Sequence, residues 1–246
     1  MSRWKAAGIH FGLSALIATV VLVAMYLLWY PPPYFKLMGG AVLVMLIVGC
    51  DVVIGPSITA IIFKSGKKGL KFDLAVIGLV QAAALAYGLY TMFEARPVFT
   101  VFAVDRFEVV AANDIKPEDL AQARSPEFAS FPLTGPRVVA AQLPTDPKEK
   151  SDLMFALNRA GQDIKNAPRL YVPYDTVAAA AAKKARPIEA LQDPAARDKV
   201  SKAMRELPEG PDKLGFLPLV GRFEDMCMIV DKSTGRMLKT VEASPW

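Results

Sequence analysis

Three long hydrophobic stretches crowd the first 93 residues of this 246-residue chain, and they dictate what that part can become. Residues 6–30 contain no Asp, Glu, Lys or Arg. A helix rises about 1.5 Å per residue, so this stretch exceeds the roughly 20 residues needed to cross a bilayer. Arg3 and Lys5 ahead of it look like the basic start of a secretory signal. A signal's apolar core runs only about 7–15 residues, so the stretch is read as an uncleaved span. Pro31, Pro32 and Pro33 end it, because proline cannot continue helical hydrogen bonding. Trp29, Tyr30, Tyr34 and Phe35 surround the break and suit the headgroup boundary. Residues 37–63 form a second span and residues 74–93 a third, with residues 64–73 as the loop between them.

Charge follows the same division. Through Phe93 the basic residues are Arg3, Lys5, Lys36, Lys64, Lys67, Lys68 and Lys71, and the acidic ones only Asp51 and Asp73. That excess equals the whole net charge of +5. The basic balance is therefore a property of the membrane part, and the remainder has no net field to attract nucleic acid. Arg3 and Lys5 precede span one, and Lys64, Lys67, Lys68 and Lys71 lie between spans two and three. The positive-inside rule puts these six residues in the cytoplasm, where they also meet anionic membrane lipids. Residues 94–246 then lie on the far side, the periplasm of a two-membrane bacterium. Residues 64–69 superficially suggest a phosphate loop, but the GxxxxGK[ST] spacing is missing.

Residues 94–246 read as an α+β extracytoplasmic domain, long enough for its own core. Residues 98–110 are rich in β-branched and aromatic side chains and read as one long strand. Lys116 to Leu120 opens a short helix, and residues 137–142 suit a short strand. Asp146 with Pro147, and Asp193 with Pro194, are helix starts of the cap-then-proline kind. Residues 176–186 read as an Ala-rich helix. Residues 217–231 and 236–241 read as two strands of a closing hairpin around residues 232–235. The expected domain has the early strand and the closing hairpin in one sheet, with helices on one face.

The residues restrict the chemistry. The single histidine, His10, lies in span one, so residues 94–246 contain none. Histidine-based nucleophilic catalysis and histidine zinc sites are thereby removed from that domain. Neither a cofactor nor a metal is expected. Cys227 sits in an apolar run and reads as a buried strand residue. Asp105 and Glu108 read as solvated or Arg-paired carboxylates rather than catalytic ones.

Asp51 is the exception. An Asp at the centre of a spanning helix costs about 3 kcal/mol on translocon scales. Either it bonds to a Ser, Thr or Tyr hydroxyl of spans one or three, or it faces a protein partner or a water-filled cavity. Gly55 and Pro56 follow one turn later, and the proline would free a carbonyl near residue 52 and kink the helix. Gly78 and Ala82 recur at helical spacing in span three. Such small residues let helices approach closely, with packing among the three spans favoured over an external helix. Asp51, Gly55, Pro56, Gly78 and Ala82 are the candidate partner-binding residues.

The order of several motifs carries a resemblance over nearly the whole chain. They are Arg3-Trp4-Lys5, the three spans and the Lys-rich loop; then Arg96-Pro97-Val98-Phe99-Thr100-Val101-Phe102 running into Val104-Asp105-Arg106-Phe107. Leu143-Pro144-Thr145-Asp146-Pro147, Tyr171-x-Pro173-Tyr174 and Leu217-Pro218-Leu219-Val220-Gly221-Arg222 follow. The chain resembles the type IV pilin accessory proteins of the TfpX/TfpZ group. The resemblance implies an inner-membrane protein, not an enzyme, that assists a cognate major pilin in assembly or tunes pilus extension and retraction. It implies contact with that pilin, and the pilus inner-membrane platform protein is a second candidate partner. It supplies no catalytic residues. A membrane-anchored envelope transferase or hydrolase, and a periplasmic sensor, are the alternative readings.

Overall fold

The computed structural model describes residues 2–246. Its three long apolar helices are α1 (Arg3–Leu28), α2 (Gly40–Ile62) and α3 (Leu70–Glu94). Ser2 caps α1, its Oγ accepting the Lys5 N–H at 3.2 Å. Gly69, at φ 86°, turns the chain into α3, a left-handed conformation that glycine adopts without a Cβ clash. Helix α3 begins one turn earlier than the apolar stretch implies and takes in Lys71 and Asp73. Tyr30, fully buried, donates its hydroxyl to the Met92 carbonyl at 2.9 Å. Trp29 meets Phe93 edge-on at 5.1 Å.

The chain divides into two compact units, residues 1–35 with 39–95, and residues 36–38 with 96–246. The second span thus starts later than the expected residue 37. Leu37 belongs to the second unit because its carbonyl accepts the N–H groups of Arg222 and Phe223, at 2.9 and 3.0 Å. A Cβ on Gly221 would collide with that same carbonyl, which explains the glycine.

The second unit is built on a seven-stranded mixed sheet ordered β4-β3-β1-β2-β5-β6-β7. Its strands are β1 (Pro97–Ala103), β2 (Arg106–Ala111), β3 (Arg137–Ala141), β4 (Tyr171–Pro173), β5 (Leu214–Val220), β6 (Asp225–Asp231) and β7 (Met237–Val241). Strand β1 pairs antiparallel with β2 and parallel with β3, and β2 runs parallel to β5. The registers put Phe99, Val101, Val139, Phe216 and Ile229 on one face. Leu157 of α4 (Pro147–Arg159) packs among the first three. Ala196, Val200 and Met204 of α6 (Pro194–Arg205) pack on the last two. Phe102 and Phe107 lie on the opposite face, where Tyr174 stacks against both. Burial pushes the Tyr174 phenol up to about 12.

Both proline-started helices form as expected. The Asp146 carboxylate accepts the Lys148 and Glu149 N–H groups, and Asp193 accepts those of Ala195 and Ala196. Each cap satisfies donors that the helix itself leaves orphaned.

Three expected elements differ. Residues 98–110 are not one strand: β1 and β2 form a hairpin, with Val104 at φ 61° in the turn. A β-branched residue at positive φ is uncommon, so the turn carries none of the Gly or Asn that would announce it. Residues 217–231 are likewise two strands, β5 and β6, which reverse between Val220 and Asp225. The Ala-rich helix shrinks to α5 (Ala178–Ala182), because Arg186 exchanges backbone hydrogen bonds with Phe216 and pulls the following residues extended.

The β6–β7 turn is tightly specified. Asp231 Oδ1 accepts from Ser233 N at 2.7 Å, Thr234 N at 2.9 Å and the Ser233 hydroxyl. The Ser233 hydroxyl and the two N–H groups hold this carboxyl down to about 2. Gly235, at φ 76°, lies so close to the Ala178 carbonyl that a Cβ could not fit. Its own carbonyl accepts the Tyr174 hydroxyl at 2.6 Å.

A candidate site among the spans

Helix α2 is not a continuous α-helix. Residues Gly49–Ile54 form a turn of π-helix, in which the Gly55 N–H reaches back five residues to the Cys50 carbonyl. In an α-helix that N–H would serve the Asp51 carbonyl. In π register the Asp51 carbonyl would take its donor from residue 56, but Pro56 has none. The carbonyl freed is therefore that of Asp51 rather than that of residue 52. Gln81 of α3 replaces the missing donor, its Nε2 lying 3.2 Å from the Asp51 carbonyl. Gly55 makes the exchange possible, since a Cβ there would collide with the Gln81 amide. Gly55 and Pro56, both buried, thus act through the backbone to bring Gln81 to Asp51.

Asp51 is 7 % exposed. Its Oδ1 is enclosed and has no hydrogen-bond partner among the described residues. The expected bond to a Ser, Thr or Tyr hydroxyl is not made. The Thr59 hydroxyl lies 2.7 Å from His10 Nδ1 instead, and Ser14 is buried without reaching Asp51. His10 is the member of this group that sequence reasoning passed over. One histidine in an apolar span gives no periodic signal, and its partner is 49 residues away.

Asp51 borders two cavities. One, of about 200 Å³, is lined by His10, Ser14, Asp51, Gly78, Gln81 and Ala82 together with Leu13, Ile17 and Leu85. The other, of about 270 Å³, is bordered by Leu43, Cys50, Asp51, Ala84, Tyr87 and Gly88 among others. The first brings Asp51, Gly78 and Ala82 together, three of the five residues picked out from the sequence. A Cβ built on Gly78 meets nothing within 4 Å, and Met92 is the buried residue of α3. Gly78 and Ala82 are both exposed. The basic residues lie elsewhere: Arg3, Lys5, Lys64, Lys68 and Lys71 are exposed, and Lys67 pairs with Asp73 at 2.6 Å.

In the sheet domain, Asp105 lies 2.8 Å from Arg106 Nε and 3.0 Å from Arg186. The hydrogen bond from Arg106, then its charge and Arg186, hold the Asp105 carboxyl below the usual carboxylate range. The Trp246 ring lies 5.3 Å from one guanidinium and 5.6 Å from the other, and its Nε1 donates to Asp225 at 2.7 Å. Glu108 pairs with Lys165 at 2.6 Å. Cys227 is fully buried, which pushes its thiol up to about 12. No group of three or more His, Cys, Asp or Glu side chains among the described residues could hold a metal ion.

An α+β domain in the same chain as three helices long and apolar enough to cross a membrane defines the class: a membrane protein. Comparison with known proteins supplies the family. The model of the family "Fimbrial assembly protein FimB" matches residues 1–39. A serogroup I fimbrial assembly protein of Dichelobacter nodosus is 35% identical over 242 residues, covering 93% of this chain and 91% of that protein. Its serogroup E1 counterpart is 33% identical over 238 residues, with the same coverage. The serogroups C1 and C2 protein is 39% identical over 122 residues, 48% of this chain and 92% of the relative. The chain belongs to the fimbrial assembly protein family, in agreement with its resemblance to type IV pilin accessory proteins. No solved structure matches it.

Proposed function

We propose that the protein is an inner-membrane accessory to a cognate type IV pilin. It holds the pilin before or during its extraction from the bilayer, as a chaperone or as a modulator of extension and retraction. Relatives named as fimbrial assembly proteins, matched over nine-tenths of the chain, carry this reading. The distribution of Arg and Lys supports a cytoplasmic N-terminus and a periplasmic sheet domain. A pilin has the same layout, with one helix in the membrane and a head outside. Helix contacts in the bilayer and sheet-domain contacts to the head would then act together.

The test is a deletion strain complemented with an affinity-tagged copy. Deletion is expected to deplete surface pili seen by electron microscopy. Pilin is expected to co-purify with the tagged protein from detergent extracts. Normal piliation in the deletion strain, with neither pilin nor the pilus platform protein recovered, would overturn the reading.

A further inference from the structure

Among the described residues, the carboxyl of Asp51 has no hydrogen bond inside the three spans, yet it is more than nine-tenths buried. The smaller cavity beside it has walls from two helices. His10, Ser14 and Ile17 come from α1, and Gly78, Gln81 and Ala82 from α3, with Asp51 of α2 between them. The α3 wall carries the small residues Gly78 and Ala82, which let a backbone approach closely, and four side chains of the cavity, His10, Ser14, Asp51 and Gln81, are polar in a hydrocarbon setting. Gln81 is already engaged by the Asp51 carbonyl and His10 by Thr59. No donor among the described residues, the Ser14 hydroxyl and the second ring nitrogen of His10 included, is hydrogen-bonded to the Asp51 carboxyl. An occupant at this depth must satisfy its own backbone, and in hydrocarbon a single segment does so only as a helix.

We infer that the groove between α1 and α3 seats one transmembrane helix of the partner, which presents a hydrogen-bond donor to Asp51 against the Gly78–Ala82 wall. The inference rests on the pilin reading, and the helix is the pilin's. Gly78 and Ala82 accept the close approach that small residues permit between membrane helices. Gln81 and Gly55 hold α2 and α3 in register around the carboxyl. A Leu at position 51 would insert into the bilayer more readily than Asp, so its effect on binding is separable from a failure to fold.

Photocrosslinking in intact cells tests this. Gly78→Cys is labelled with a benzophenone maleimide in a Cys50→Ser background, since Cys227 is fully buried and Cys50 exposed. The comparison protein keeps Gly78 and carries the label on its native Cys50, which lines the other cavity. Capture of pilin from position 78, reduced roughly three- to twentyfold by Asp51→Leu, is the expected result, given the usual strength of an interhelical hydrogen bond. Capture from Cys50 alone would overturn the inference and move the helix to the other groove. Capture of lipid alone at position 78 while pilin still co-purifies would also overturn it, leaving the pilin reading intact. Unchanged capture in Asp51→Leu would remove the donor from the proposal.

Discussion

Carboxylates are treated differently in the two units. In the sheet domain Asp105 sits between two guanidiniums, Glu108 meets Lys165, Asp114 meets Arg222, and Asp231 collects three donors from its own turn. In the membrane unit Asp73 meets Lys67, but Asp51 is enclosed and unanswered. Water tolerates an imperfectly paired charge, whereas hydrocarbon does not. The less forgiving medium nevertheless holds the unanswered group. The partner helix proposed above would account for that inversion, because it would complete a site left incomplete within the chain.

The largest effect is expected in the core of the sheet domain. Phe216 is fully buried between α6 and the neighbouring strands. Phe216→Ala is expected to destabilise the sheet domain by about 3–5 kcal/mol. Pulse proteolysis of the full-length protein in nanodiscs, across a urea series, would measure it. A loss below about 1 kcal/mol would mean that the core relaxes around the cavity, against the close packing described.

Gly235→Ala comes next. It introduces a Cβ against the Ala178 carbonyl and imposes positive φ on alanine, for an expected loss of about 1–3 kcal/mol by the same assay. The smallest effect concerns acid. The folded-state carboxyl of Asp231 is held down to about 2, below the roughly 3.9 of an unfolded chain. Its contribution is complete above the unfolded value and is lost as pH falls through about 2. Wild type should therefore lose stability between about pH 4 and pH 2 more steeply than Asp231→Asn. Parallel curves would place the acid sensitivity elsewhere, with Asp105 next in line.

Much of this architecture is written in local patterns. The spans are legible because each exceeds a bilayer's thickness in apolar residues. The starts of α4 and α6 are legible because Asp146 and Asp193 cap backbone donors directly ahead of a proline. Features that rest on distant partners are not. Val104 turns the β1–β2 hairpin at positive φ with no Gly or Asn to mark it, and Leu37 joins the sheet domain through donors at positions 222 and 223. At the candidate site Asp51 was conspicuous by its cost, and Pro56 signalled a freed carbonyl. Which carbonyl was freed depended on the π register, and Gln81's role on a helix 30 residues away.

That register has an evolutionary consequence. An α-helix advances about 100° per residue, so the extra residue absorbed at Gly49–Ile54 shifts the angular phase of everything after it. The two halves of α2 belong to different helical wheels, and Thr59 faces His10 from the second. Losing or gaining one residue elsewhere in α2 would rotate half a span, whereas losing one within Gly49–Ile54 would return that turn to α register and leave both faces where they are. The π turn is thus the place where this span can absorb a change of one residue in length.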